Sequence, residues 1–316
     1  MALSPAVDDV LVFPRPALLA ALRARSPRRL SALLRDFLRT LRAPGFDCVV
    51  DFHGILRSGL LGRLSGARTR IGYARPFARE GNALLTTHRA DLGRARRSRY
   101  ARNAGLVEAL GGADVGGRER FLVVPESARE RVTRALAGRS PGVVLHPGTS
   151  AGTPWKRWAP ERFAALAQRL ASETGLPCLV TAGPGEAEAR LAQAVVDGSR
   201  GAARRAPDTA ELADLAALIE MAPLFVGADS GPLHLASLVG TPVVQILGPT
   251  DPVENAPWPG TPSRSVRAAV PCSPCRRGCP SPVCMASVAV DAVAGAARAL
   301  ASDSPDAGTW PPGCAA

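Results

Sequence analysis

The 316-residue chain is 46% apolar, enough for two domains with real cores, and no apolar run approaches the ~20 residues of a membrane-spanning helix. Its start, MALSPAVDDVLVFPRP, lacks a charged segment followed by an apolar one, so the sequence predicts a cytosolic protein with no secretory leader. The net charge of +12 is carried by one half: residues 1–140 hold 26 Arg against 12 acids, a net of +14, and residues 141–316 carry −2. Codon bias toward Arg would raise both halves, so the first half is expected to meet an anionic partner such as a phosphorylated lipid or a membrane surface. Between Arg57 and Arg102 stand 12 Arg and two acids, Glu80 and Asp91. They come without an aromatic stacking platform or a helix-turn-helix pattern, so nucleic acid is not the expected partner.

Taken in order, Val10–Phe13 reads as a short strand. Ala17–Leu41 is an Arg- and Leu-rich helical pattern interrupted at Ser26-Pro27, with Leu30, Leu33, Leu34, Phe37, Leu38 and Leu41 at helical spacing, and Pro44-Gly45 breaks it. FDCVVDFHG (46–54) is a strand running into a turn, and SGARTRIGYARP (65–76) holds another short strand. The Arg cluster of 79–102 leads into a helix through Gly105–Leu110, ended by Gly111-Gly112. Phe121–Pro125 reads as a strand and Ser127–Leu136 as a helix, with a domain boundary near Gly138–Gly142. GVVLHPG (142–148) opens the second domain. Pro160–Thr174 is an amphipathic helix, Leu176–Ala182 a strand, GPGEAE (183–188) a helix start, Thr209–Met221 the next helix and Ala286–Ala301 the last. This βαβα alternation predicts a doubly wound parallel sheet.

The stretch the second half is built around is LFVGADSGPLHLASLVGTPVVQILGPTDP (224–252). It reads as strand, tight turn, helix, strand and loop. Asp229 and Ser230 are good N-cap residues and Pro232 suits a first helical turn. The free N–H groups from Gly231 onward then form an anion site at the carboxyl end of the sheet, with His234 on the first turn facing it. Lys156 is the sole lysine, between Trp155 and Trp158 in a loop after a strand. A compact ammonium serves as a point charge on a diphosphate, where Arg demands fork geometry. Glu186 opens a helix, where the dipole alone favours it. Cys272, Cys275, Cys279 and Cys284 crowd one loop with zinc-like spacing; a disulfide is not expected in cytosol, and the loop is either structural or a metal site. His53, alone after a strand, reads as structural.

GADSGPLHLASLVGTPVVQILGPTDP closely resembles the signature of the ADP-heptose:lipopolysaccharide heptosyltransferases, glycosyltransferase family 9, and the resemblance runs from about Val10 to Leu300. It implies an α/β fold of GT-B type with two doubly wound Rossmann-like domains. Residues 1–140 would be a basic acceptor-binding domain, 141–302 a nucleotide-sugar donor-binding domain and 303–316 a flexible tail. It implies an inverting transfer of heptose from ADP-heptose to the lipopolysaccharide inner core, peripherally at the inner face of the cytoplasmic membrane, with no cofactor. The donor-binding residues it implies are Thr149 and Ser150 of HPGTS, Lys156 of K-x-W, Glu186 toward the ribose, and Asp229, Ser230, Gly231 and His234 of D-[ST]-G-x-x-H. On the acceptor side the family's D-x-Q-G-L-x-[KR]-S stands here as Asp51, His53, Gly54, Ile55, Arg57 and Ser58, with His53 replacing Gln. Many members carry a similar Cys-rich loop.

One departure is large. The family opens with a strand and an S-x-G-D turn whose Asp is its proposed general base, and no such stretch stands here; Asp8 and Asp9 lack that context. The first domain is therefore expected to lack its opening βα unit, and the catalytic base stays unassigned. The alternatives are a nucleotide-sugar-binding homologue without its base, or a family member with another donor or acceptor.

Overall fold

The computed structural model describes residues 3–112, 122–209, 211–275 and 278–303. The chain forms two compact units, the first from Ala6 through residue 112, the second from residue 122 onward together with Leu3–Pro5.

The first unit runs α1 (Arg15–Arg23), α2 (Pro27–Arg42), β1 (Cys48–Val50), α3 (Leu56–Leu64), β2 (Thr69–Tyr73), β3 (His88–Ala90) and α4 (Arg99–Glu108). Its three strands pair in parallel in the order β1-β2-β3. Pro27 pre-sets the first turn of α2, as expected from the break at Ser26. Val10–Phe13 is not a strand: it enters no ladder, and Phe13 instead meets Phe37 of α2 edge-on at 5.1 Å. The strand expected over 46–54 contracts to β1, because Asp51 turns inward and organises the loop behind it. Its carboxylate accepts the N–H groups of His53 (2.9 Å) and Gly54 (3.1 Å), the Ser58 hydroxyl (2.8 Å) and the Asn82 amide (2.7 Å). Gly54 has φ +71°, and a Cβ there would lie 2.7 Å from the Phe77 carbonyl oxygen, so this turn requires glycine.

The second unit runs α5 (Glu126–Leu136), β4 (Val143–His146), α6 (Pro160–Thr174), β5 (Cys178–Val180), α7 (Glu186–Gly198), β6 (Ala203–Arg205), α8 (Leu212–Glu220), β7 (Phe225–Ala228), α9 (Gly231–Val239), β8 (Val243–Leu247), β9 (Ser263–Arg267), α10 (Val283–Ala286) and α11 (Val290–Asp303). Six parallel strands lie in the order β6-β5-β4-β7-β8-β9. The four inner strands are buried along their whole length, which explains their mostly apolar runs, broken by Gln245 in β8 and His146 at the end of β4. One core gathers Trp158, Phe163, Leu166, Leu170 and Val293; the other gathers Val132, Leu136, Leu218, Ile219 and Leu233.

The division of the chain differs from the expected boundary near Gly138–Gly142. Helix α5 belongs to the second unit: Ala128, Val132 and Leu136 join the core of α8, Arg129 bonds Glu220 at 2.8 Å and Arg131 bonds Asp214 at 2.6 Å. Residues 122–125 are not a strand; Val123 N–H donates to the Leu3 carbonyl at 2.8 Å, and Phe121 lies outside the described residues. The strand expected over 176–182 contracts to β5, α8 begins three residues later than Thr209, and the last helix begins at Val290 because Val283–Ala286 splits off as a separate turn. The tail beyond 303 also lies outside the described residues. No helix among the described residues is long and apolar enough to cross a membrane.

Candidate functional site

The strand order reverses between β4 and β7, and in open α/β sheets ligands bind in the crevice beyond the carboxyl ends at such a point. Strand β4 ends at His146 and leads into a loop with a 3₁₀ turn at Pro154–Lys156; β7 ends at Ala228 and leads through Asp229 and Ser230 into α9. The two connections meet. Lys156 Nζ lies 2.9 Å from Asp229 Oδ2, and His234 Nε2 lies 3.2 Å from Asp229 Oδ1. Burial by itself would raise the Asp229 carboxyl, but the hydrogen bonds from His234 and Lys156, with the charge of the ammonium, overcome it and hold the group down at about 2.

This corrects the capping role expected of Asp229 and Ser230. The Asp229 carboxylate is taken by Lys156 and His234. Ser230 stands at the N-cap with extended backbone, but its side chain makes no capping bond and its buried Oγ has no partner. Nothing lies within 4 Å of a Cβ built at Gly231, so the approach to that residue is open. A polar orphan beside open helix N–H groups and an ammonium suits an anionic ligand.

Thr149 and Ser150 lie in the loop after β4, and their hydroxyls shape it. Thr149 Oγ1 donates to the Thr153 carbonyl at 3.0 Å, and Ser150 Oγ is 2.8 Å from Thr153 Oγ1. Two residues that sequence reasoning passed over hold this loop from behind. The Arg157 guanidinium donates to the Thr149 carbonyl at 3.2 Å and to Glu188 Oε1 at 2.6 Å. A Cβ at Gly148 would lie 1.8 Å from Glu188 Oε2, so the loop backbone closes directly onto that carboxylate. The available signal was position: Arg157 adjoins Lys156, and Glu188 is two residues beyond Glu186 on the same first turn.

Glu186 itself is exposed and paired with Arg190 at 2.5 Å. It borders an open cavity of about 670 Å³ that His146, Thr181, Gly183, Ala206, Pro207 and Pro232 also line. The cavity thus spans the carboxyl ends of β4, β5 and β6 and reaches the first turn of α9. His53 and Arg57 are exposed and Ser58 half-buried; they belong to the other unit, and Ser58 donates to Asp51.

In the Cys loop, Cys284 is buried beneath the turn at Gly248, where a Cβ would lie 3.0 Å from its Sγ. Burial pushes the Cys284 thiol up, and the neighbouring Cys272 and Cys275 add to the rise. Among the described residues no group of three or more His, Cys, Asp or Glu side chains is arranged to hold a metal ion. The same loop packs on the site's edge: a Cβ at Gly278 would lie 3.3 to 3.5 Å from three ring carbons of Trp155.

Residues 34–283 match the family model described as glycosyltransferase family 9 (heptosyltransferase). The chain belongs to glycosyltransferase family 9. Among similar family proteins, lipopolysaccharide heptosyltransferase 3 of Escherichia coli is 27% identical over 235 residues, covering 70% of this chain and 65% of that protein. Lipopolysaccharide heptosyltransferase 1 of Pseudomonas aeruginosa is 29% identical over 254 residues, covering 76% and 65%. This family 9 chain therefore spans about 65% of the length of these relatives. Its fold is that of solved heptosyltransferases. The E. coli enzyme WaaC, solved with ADP, superposes with a TM-score of 0.71 at 19% identity over 94% of this chain and 85% of its own. E. coli ADP-heptose heptosyltransferase II gives 0.61 at 18% identity over 90% and 87%. The α/β fold of this chain is thus of GT-B type.

Proposed function

We propose that this chain takes an ADP-sugar into the crevice of its second unit and transfers heptose from it, with inversion, to the lipopolysaccharide inner core. The observation that carries this is the meeting of Lys156, Asp229 and His234 at the open N-terminus of α9. In this reading the diphosphate draws Lys156 away from Asp229, and the ammonium together with the helix N–H groups stabilises the leaving diphosphate as the anomeric carbon–oxygen bond breaks. Glu186 and the cavity behind it receive the nucleoside. The names of the relatives support lipopolysaccharide as the acceptor. The Arg cluster of the first unit, which includes exposed Arg94, Arg96 and Arg97, supports an anionic lipid surface as its setting.

A second reading keeps the donor site and omits transfer. It draws support from the state of two carboxylates. Asp51 already accepts four hydrogen bonds, and Asp229, held at about 2, is a weak proton acceptor near neutrality. Neither is suited to be the base that takes the acceptor proton. The test is an assay with ADP-heptose and a deep-rough lipopolysaccharide acceptor, run beside ADP binding by calorimetry. Transfer with inverted anomeric configuration supports the first reading. Binding without transfer supports the second, and binding of another nucleotide sugar in preference overturns the choice of donor.

A further inference from the structure

The imidazole of His146 takes no part in the chemistry above, yet the residue lines the cavity. We infer that His146 reads the bound nucleoside through Nε2, whose lone pair accepts a hydrogen bond from a hydroxyl or amino group of that nucleoside. The inference rests on the nucleotide-sugar reading of this crevice and adds a recognition residue to it.

Three observations carry it. First, His146 ends β4 at the strand reversal, is 3% exposed, and is one of the residues lining the cavity. Second, its ring is fixed. It stacks on Phe225 at 6.4 Å and 25°, and Nδ1 lies 3.0 Å from Thr181 Oγ1. The Thr181 hydroxyl donates to the Leu145 carbonyl at 3.3 Å, which leaves its oxygen free to accept from Nδ1–H. A neutral imidazole carries one N–H, so a proton on Nδ1 leaves Nε2 bare. Third, Nε2 faces the backbone of the loop after β4: a Cβ at Gly148 would lie 3.1 Å from it, at a position already held to glycine by the closer approach of Glu188 Oε2, at 1.8 Å. The arrangement fixes one acceptor nitrogen on a residue that lines the cavity, and a nucleoside hydroxyl or exocyclic amine is its matching donor.

The test uses the full chain with ¹⁵N-labelled histidine. In the free protein the His146 ring is expected to carry its proton on Nδ1, with the bare Nε2 resonance moving toward the hydrogen-bonded range as ADP is added. His146→Phe keeps the stacking on Phe225 and is expected to weaken ADP binding about tenfold, while His146→Gln restores part of the loss. 2′-Deoxy-ADP, 3′-deoxy-ADP and inosine diphosphate separate the sources: the analogue missing the group that His146 reads binds the unsubstituted chain and His146→Phe equally. A proton on Nε2, or equal ADP affinity of the two proteins, overturns the inference and leaves the donor reading standing. Failure of the unsubstituted chain to bind ADP overturns both. The NMR measurement requires no variant to fold.

Discussion

Lys156 and Asp229, 73 residues apart, meet at 2.9 Å and join the connections that leave the two central strands of the second unit. The ammonium is one-fifth exposed and the carboxylate nearly buried, so an incoming phosphate can reach the first more easily than the second.

Lys156→Ala is expected to weaken ADP binding by about 1.5–3 kcal/mol, the usual worth of a hydrogen bond to a charged group. Lys156→Arg should not restore it, because a planar fork does not replace a point charge in this turn. Isothermal calorimetry on the three proteins decides; unchanged affinity in Lys156→Ala removes the lysine from the donor site.

Burial sets a pH dependence through His146, whose imidazole is lowered from its ordinary value to about 4. Between about pH 6.5 and pH 4 the unfolded chain binds a proton that the folded chain refuses. Stability is therefore full above that window and falls as pH falls through it, by on the order of 3 kcal/mol. His146→Phe should flatten this slope, as read from denaturant midpoints at pH 7 and pH 5.

The second unit should fold alone only if it keeps α5. A chain of residues 122–316 is expected to bind ADP. One that starts at residue 141 bares the partners of Val132 and Leu136, each worth about 1.5–3 kcal/mol when buried. Equal melting temperatures for the two would place α5 outside the unit's core.

Asp51→Ala should destabilise the first unit by several kcal/mol, since each buried donor left without its acceptor costs about 1–3 kcal/mol. Unfolding followed by hydrogen exchange at β1–β3 checks this. If Asp51→Ala is as stable as the parent, Asp51 is released for a chemical role.

Replacing Arg94, Arg96 and Arg97 with Gln should reduce association with phosphatidylserine-containing vesicles. Association of the parent should fall steeply with salt, because exposed charges are screened beyond about 8 Å at physiological ionic strength. Salt-insensitive binding to neutral vesicles would refute a charge-driven surface.

The sequence carried the second unit well because its inner strands are buried on both faces and its helices begin and end at Pro and Gly, as Pro160 and Gly175 do for α6. It carried β3, β6 and β9 poorly. These are short or edge strands in which Arg89, Arg204, Arg205 and Arg264 interrupt any apolar period. The residues that meet beyond β4 and β7 could be singled out one by one, but their partners could not. Nothing in local spacing says that Lys156 pairs with Asp229, or that Glu188 rather than Glu186 braces the loop; both depend on the β4–β7 adjacency, which only the folded sheet supplies.

The backbone at Gly278 runs beside the indole of Trp155, where a Cβ would lie 3.3 Å from the ring, and so sets the Cys loop next to the turn that carries Lys156. Indole emission responds to the polarity and quenchers around the ring, and Trp155 sits one residue before the ammonium. The chain thus carries an intrinsic optical gauge of its own crevice. Nucleotide arrival that shifts the turn, or thiol alkylation in the adjoining loop, would register as a change in tryptophan fluorescence without any attached dye, and Trp155→Phe would silence that signal while Trp158, buried in the core, kept the baseline.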